Sequence, residues 1–133
     1  MGNLFRAKAA IHDQITGVTA SVTGSSHLLK PANDEVPDHL QEFAVVFKTT
    51  MAGGASVPSI TPKLQTSWDG TNWVDVVAGT AVTADGSLTE YKAITATKLG
   101  THVRAVATIA NTATYTGSVV LISNARFRTV TVG

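Results

Sequence analysis

The chain of 133 residues contains no cysteine. Neither a disulfide framework nor a thiolate site for metal or nucleophilic chemistry can therefore form. Charge is scarce: Asp, Glu, Lys and Arg make up 14% of the residues, well under the usual quarter, and they leave a formal net charge of +1. A near-neutral chain with scattered cations lacks the concentrated basic face of a nucleic-acid binder, so no nucleic-acid partner is expected. No apolar run approaches the ~18 residues of a membrane span, so no membrane association is expected either. Met1-Gly2-Asn3-Leu4-Phe5-Arg6 lacks the apolar segment of a signal peptide and has Arg6 where a myristoylation pattern wants Ser or Thr. Synthesis in a cytoplasm without export is the expectation.

Chemistry-bearing patterns are also missing. His12, His27, His39 and His102 show no metal-ligand spacing on one element. Gly53-Gly54 is too short for a phosphate loop, and no Gly-x-Ser-x-Gly elbow occurs. Asp69 and Asp85 are accounted for by turns, and Asp75 and Glu90 read as solvent-facing strand residues. No enzyme, no catalytic residue, no metal and no cofactor is expected on these grounds.

What the chain does contain is Thr, Ser, Ala and Gly among β-branched and aromatic residues, a composition suited to pleated sheet. Its organising stretch is Ser67-Trp68-Asp69-Gly70-Thr71-Asn72-Trp73, which carries both tryptophans around an Asp-Gly turn. Gly takes positive φ without steric cost and Asp bonds the following backbone, so the stretch predicts a hairpin. Trp68, Asp69, Gly70 and Trp73 are its structural residues, with the two rings expected to anchor the core.

Along the chain, strands are expected over residues 15–23, 40–50, 63–68, 73–77, 88–95, 101–109, 115–122 and 125–132, with 80–83 alternating ahead of the Asp85-Gly86 turn. Residues 40–50 are apolar on successive positions, as in a central strand covered on both faces. Pro58 and Pro62 mark an edge strand or a bulge. Val103, Ala105, Ala107 and Ile109 line one face. About seven or eight short strands at roughly ten-residue spacing predict one all-β domain, an antiparallel β-sandwich or jelly-roll-like barrel. Residues 1–12 are a candidate N-terminal arm, and residues 31–39, rich in proline and acids, a long loop. Arg104, Arg126 and Arg128 are candidate interface residues, and Asp34 and Glu35 of that loop are candidate partners for them in a neighbouring subunit. The same arginines would equally serve as solubilising charges on an edge strand.

The run from Leu64 through the tryptophan hairpin to Val76, then Leu99-Gly100-Thr101-His102-Val103-Arg104-Ala105, then Thr114-Tyr115-Thr116-Gly117-Ser118-Val119, resembles small β-sandwich structural proteins of tailed bacteriophages. The likeness is particularly to head decoration, or cement, proteins, and it spans residues 64–122. It implies a virion protein that binds the outside of a capsid through the major capsid protein and self-associates as a trimer or dimer. Other phage head or tail components are a further possibility within that class. The strand-Asp-Gly-Thr-x-Trp pattern also recurs in carbohydrate-binding and adhesion β-sandwiches, which would use Trp68, Trp73 or Tyr91 as a stacking platform.

Overall fold

The computed structural model describes residues 8–31, 43–95, 98–123 and 127–132. Among the described residues ten strands run in chain order: β1 (Lys8–Val18), β2 (Val22–Thr23), β3 (Ser26–Pro31), β4 (Phe43–Ala52), β5 (Ser59–Ser67), β6 (Val74–Ala78), β7 (Gly86–Ile94), β8 (His102–Ala110), β9 (Thr114–Ser123) and β10 (Phe127–Val132). There is no α-helix among the described residues, so none is long and apolar enough to cross a membrane.

All pairings are antiparallel and form two sheets, ordered β1-β9-β4-β7 and β10-β3-β8-β5-β6, with β2 beside β8. The pairings nest: β1 with β9, β3 with β8, β4 with β7, β5 with β6. The chain is thus one long double-stranded ribbon whose tip is the β5–β6 connection. It is rolled so that β9 also lies beside β4, and β8 beside β5. That arrangement is the eight-stranded jelly roll, with β2 and β10 added to one sheet.

Alternation decides which residues enter the sandwich. Phe43, Val45 and Phe47 of β4 meet Leu64 of β5 and Val103 and Ala105 of β8 in one core cluster. A second cluster at the other end gathers Met51, Ile60, Ala107, Ala113 and Tyr115. Val103, Ala105 and Ala107 are buried as the sequence implies, and Ile109 packs at the margin.

The structure corrects several expectations. The aromatic core is Phe43, Phe47 and Tyr115, whereas Trp68 is 59% exposed and Trp73 is only half-buried. The tryptophans sit in the loop beyond the strand ends, where the alternating inward positions have run out. Residues 15–23 are split between the end of β1 and the short β2, and residues 80–83 contribute only an isolated bridge from Val82 to Ile60. Strand β5 lies inside its sheet, but its start, residues 59–62, is paired on one side with β8 and on the other only through the isolated Val82 bridge, so the proline-bracketed stretch is locally near an edge. The Pro62 carbonyl accepts from Gly79 N at 2.8 Å, so the missing N–H falls on the side of the β6–β7 connection, away from the β8 ladder. The register shift comes later, opposite Leu64 and Gln65, and its extra residue, Val76, is on β6. Residues 8–12 of the expected arm belong to β1, with Lys8 opposite Ser123 and His12 opposite Val120. Residues 1–7 lie outside the described residues, as do residues 32–42, which hold most of the predicted loop.

Two connections cross between the sheets side by side, residues 53–58 from β4 to β5 and residues 111–113 from β8 to β9. Ala55 N donates to Asn111 O and Asn111 Nδ2 donates to Val57 O, both at 2.7 Å. Val57 and Thr112 hold φ of 55° and 56°. For β-branched residues these are outliers, and they are tolerated because the two crossings brace each other.

Candidate functional site

The outer face of the larger sheet carries a row of polar and aromatic side chains, built by the period of two. On β5, Leu64 points in, so Lys63 and Gln65 point out. On β8, Val103 and Ala105 point in, so His102 and Arg104 point out. The register sets Gln65 opposite Arg104 on one side and Asp75 of β6 on the other. Arg104 Nε donates to Gln65 Oε1 at 2.8 Å, and Gln65 Nε2 donates to Asp75 Oδ1 at 2.8 Å. Lys63 Nζ closes the row on Asp75 Oδ2 at 3.4 Å. The bond from Gln65, followed by the nearby Lys63 ammonium, holds the Asp75 carboxyl below its ordinary range. As an exposed ion pair, Lys63–Asp75 contributes about 0–1 kcal/mol, so the row owes its order more to its hydrogen bonds.

Trp73 stands over this row. The Arg104 guanidinium carbon is 4.3 Å from its ring centroid, and the His102 ring meets it edge-on at 6.5 Å and 79°. His102 Nδ1 shares a 2.8 Å hydrogen bond with Thr101 Oγ1.

The ribbon-tip loop, residues 68–73, is fixed by its own side chains. Buried Ser67 accepts from Asp69 N at 3.2 Å and Gly70 N at 2.8 Å, and donates its hydroxyl proton to Asp69 Oδ1 at 2.8 Å. Asp69 also accepts from Thr71 N, Asn72 N and Asn72 Nδ2 at 2.7–2.8 Å. The Asn72 and Thr71 backbone N–H groups, then the Asn72 and Ser67 side chains, hold the Asp69 carboxyl far below its ordinary range. Gly70 supplies the φ of 80° that the turn requires. A Cβ there would meet His102 Nε2 at 3.3 Å, so the loop lies against the β8 face. On its other flank Gly100 N donates to Thr66 Oγ1 and Thr66 Oγ1 donates to His102 O, both at 2.8 Å.

Of the residues singled out from the sequence, Trp68, Asp69, Gly70, Trp73 and Arg104 are brought to this one end of the sheet. Arg128 is on β10, with β3 between its strand and β8. Arg126, Asp34 and Glu35 lie outside the described residues. Gln65 and Asp75 were not foreseen as bridging groups. Their signal is the polar–apolar alternation of Lys63-Leu64-Gln65 and Trp73-Val74-Asp75, which places like-facing residues without giving their cross-strand partners. Glu90 is a correction: it shares the inward register of β7 and is only partly exposed, bound at 2.6 Å by both Thr80 N and Thr80 Oγ1. Those bonds, the Thr80 hydroxyl first, lower its carboxyl pKa.

A shallow depression of about 320 Å³ lies on the smaller sheet, lined by Gln14, Lys48, Thr50, Thr116, Gly117 and Ser118. It offers hydroxyl and amide groups and the Lys48 ammonium, but no ring. Among the described residues no three His, Asp or Glu side chains converge in a way that would hold a metal ion. The tryptophan end of the larger sheet is therefore the better recognition surface, combining flat rings with fixed planar hydrogen-bonding groups. Comparison of the chain with protein-family models, with curated proteins and with solved structures found no match in any of the three.

Proposed function

We propose that the protein is a structural component of a virion, a decoration or cement protein that binds the outside of a capsid and stabilises it. The observation that carries this reading is the jelly-roll topology, an architecture recurrent in viral shells. Fold-level analogy alone assigns no function. Here it joins the sequence likeness to phage head proteins and a charged fraction of only 14%, which favours close contact with neighbours.

The edge strands bear on how the protein would attach. β7 ends the smaller sheet with Glu90 and Lys92 in its inward register, and β6 ends the larger one with five residues. Inward charges and short edges discourage strand addition. Contacts to the major capsid protein, and between copies in a dimer or trimer, would then avoid these two edges. Many weak contacts made together give high avidity on a shell. After synthesis in the host cytoplasm, the protein would reside on the capsid surface.

The test is co-sedimentation of the purified chain with heads of the phage that encodes it, with the solution mass measured by light scattering. Saturable retention on heads at a fixed ratio to coat subunits, with a discrete dimer or trimer in solution, is the expected result. No retention on intact heads would sink the proposal.

A further inference from the structure

We infer that the depression on the smaller sheet binds a tetrahedral oxyanion, a phosphate or sulfate group, with Lys48 as its counter-charge. The register builds the site. Phe47 and Thr49 are buried, so Lys48 and Thr50 of β4 point outward. On β9, Ser118 stands between Lys48 on one side and Gln14 of β1 on the other. Two residues along the same strand, Thr116 stands opposite Thr50. These five side chains, with Gly117 between Thr116 and Ser118, line a hollow of about 320 Å³.

Charge on this face is unbalanced. Among the described residues the Lys48 ammonium has no ion-pair partner. The described acids are directed or spent elsewhere. Asp69 and Asp75 belong to the tryptophan end of the larger sheet. Glu90 lies in the inward register and is bound by Thr80, and Asp85 accepts from Gly53 N. Asp13 is paired with Val119, a buried position, and so takes the inward register too. An ammonium with no described carboxylate on its own face leaves a positive potential there.

The neighbouring hydroxyls are poised to donate. Gly17 N donates to Thr116 Oγ1 at 3.1 Å, which leaves Thr116 its own proton to give. Thr50 Oγ1 and Ser87 Oγ share one 2.8 Å hydrogen bond, so one of their two protons is left over. The side chains of Ser118 and Gln14 have no hydrogen-bond partner among the described residues. Hydrogen bonds to an ionised acceptor are about twice as strong as neutral ones, so these donors favour an anion. They come from three strands, β1, β9 and β4. A carboxylate offers two oxygens in one plane, whereas a phosphate or sulfate group offers three or four in a tetrahedron and meets donors from several directions. A single cation is too few for a nucleic-acid backbone, which is held by many.

The experiment is an amide proton–nitrogen NMR titration of the full chain with sodium phosphate, sulfate and acetate. Each is exchanged for chloride at constant ionic strength, so that general screening cancels. Phosphate and sulfate are expected to give saturable shifts confined to the amides around Gln14, Lys48 and Thr116 to Ser118, and to bind more tightly than acetate. Lys48→Gln should weaken phosphate binding at least ~tenfold, and Ser118→Ala by a smaller factor. Lys98→Gln removes another exposed cation, on the connection from β7 to β8. It should leave binding within about twofold, since isolated surface charges contribute little. All three side chains are outside the core, and circular dichroism checks that the variants fold. Unsaturated shifts spread over the basic residues would mean an adventitious ion only. That outcome, acetate binding as tightly as phosphate, or unchanged phosphate binding by Lys48→Gln would each overturn the inference. The first two are read on the unaltered chain, and none depends on capsid attachment.

Discussion

The guanidinium of Arg104 lies over the ring of Trp73, its carbon 4.3 Å from the ring centroid, while its Nε is spent on Gln65. One side chain thus joins the loop at the ribbon tip to the middle of the larger sheet. Arg104→Ala is expected to lower stability by about 1–2 kcal/mol, from one cation–π contact and one hydrogen bond. Arg104→Lys should recover only part of this, because an ammonium cannot lie flat on the ring while bonding Gln65. Urea denaturation reads both. A double-mutant cycle with Trp73→Leu should show a coupling of about 0.5–1 kcal/mol, and strictly additive losses would mean that the contact contributes nothing.

Gly117 and Gly17 offer a contrast between space and backbone strain. At Gly117 a Cβ would collide with the Lys48 carbonyl oxygen and stand 2.7 Å from the Tyr115 ring. At Gly17 it would meet nothing within 4 Å, but φ is +65°. Gly117→Ala should cost about 2–3 kcal/mol through overpacking against backbone, and Gly17→Ala about 1 kcal/mol through left-handed strain alone. Thermal melting of the two variants checks the order, and a Gly17→Ala loss exceeding that of Gly117→Ala would refute it.

Acid should unfold the protein through its bonded carboxylates. Asp69, Asp75 and Glu90 all have folded-state pKa values below their ordinary 3.8, 3.8 and 4.5. A depressed folded pKa contributes stability that is complete above the unfolded value and is lost as pH falls through the folded one. Thermal midpoints should therefore be insensitive to these groups between roughly pH 5.5 and 7 and fall below about pH 4. Asp69→Asn should flatten the acid limb. An unchanged limb in that variant would show that the Asp69 turn forms equally well when protonated.

Tyr115 Oη is buried and has no hydrogen-bond partner among the described residues. Burial raises its pKa above the ordinary 10.0, so the neutral phenol is favoured on folding and stability declines as pH climbs past about 10. Tyr115→Phe keeps the ring and removes the unpaired hydroxyl. It is expected to leave stability unchanged or raise it by up to about 1 kcal/mol, and to remove part of the alkaline decline. A loss above ~1 kcal/mol, the net worth of an ordinary hydrogen bond, would reveal a partner for the hydroxyl.

Much of the fold could be read from strand spacing and alternation. Val103-Arg104-Ala105-Val106-Ala107 announces its faces, and the hairpin at Asp69-Gly70 is the tip of the whole ribbon. The choice between a jelly roll and another antiparallel sandwich stayed open, because it depends on pairings such as Ile15 with Gly117 that no local pattern encodes. The tryptophans misled for a definite reason. Large rings favour burial on average, but Trp68 follows Ser67, which takes the last buried place on β5. The row from Lys63 to Trp73 was legible as a set of outward residues, while its hydrogen bonds depend on the register between β5, β6 and β8.

The nesting of strands also dictates an order of events during synthesis. Gly17 N donates to Thr116 Oγ1 across a separation of 99 residues, and β4, central in its sheet, borders β9 on one side. On the ribosome β5 and β6 can close early, but β1 and one side of β4 have no neighbour until β9 has emerged. Such long-range closure is slow and leaves strand edges open meanwhile. The smaller sheet can then be completed only once residues 114–123 have been translated. Yield in the cell would accordingly respond to growth temperature and chaperone supply more than the equilibrium stability of the finished sandwich suggests.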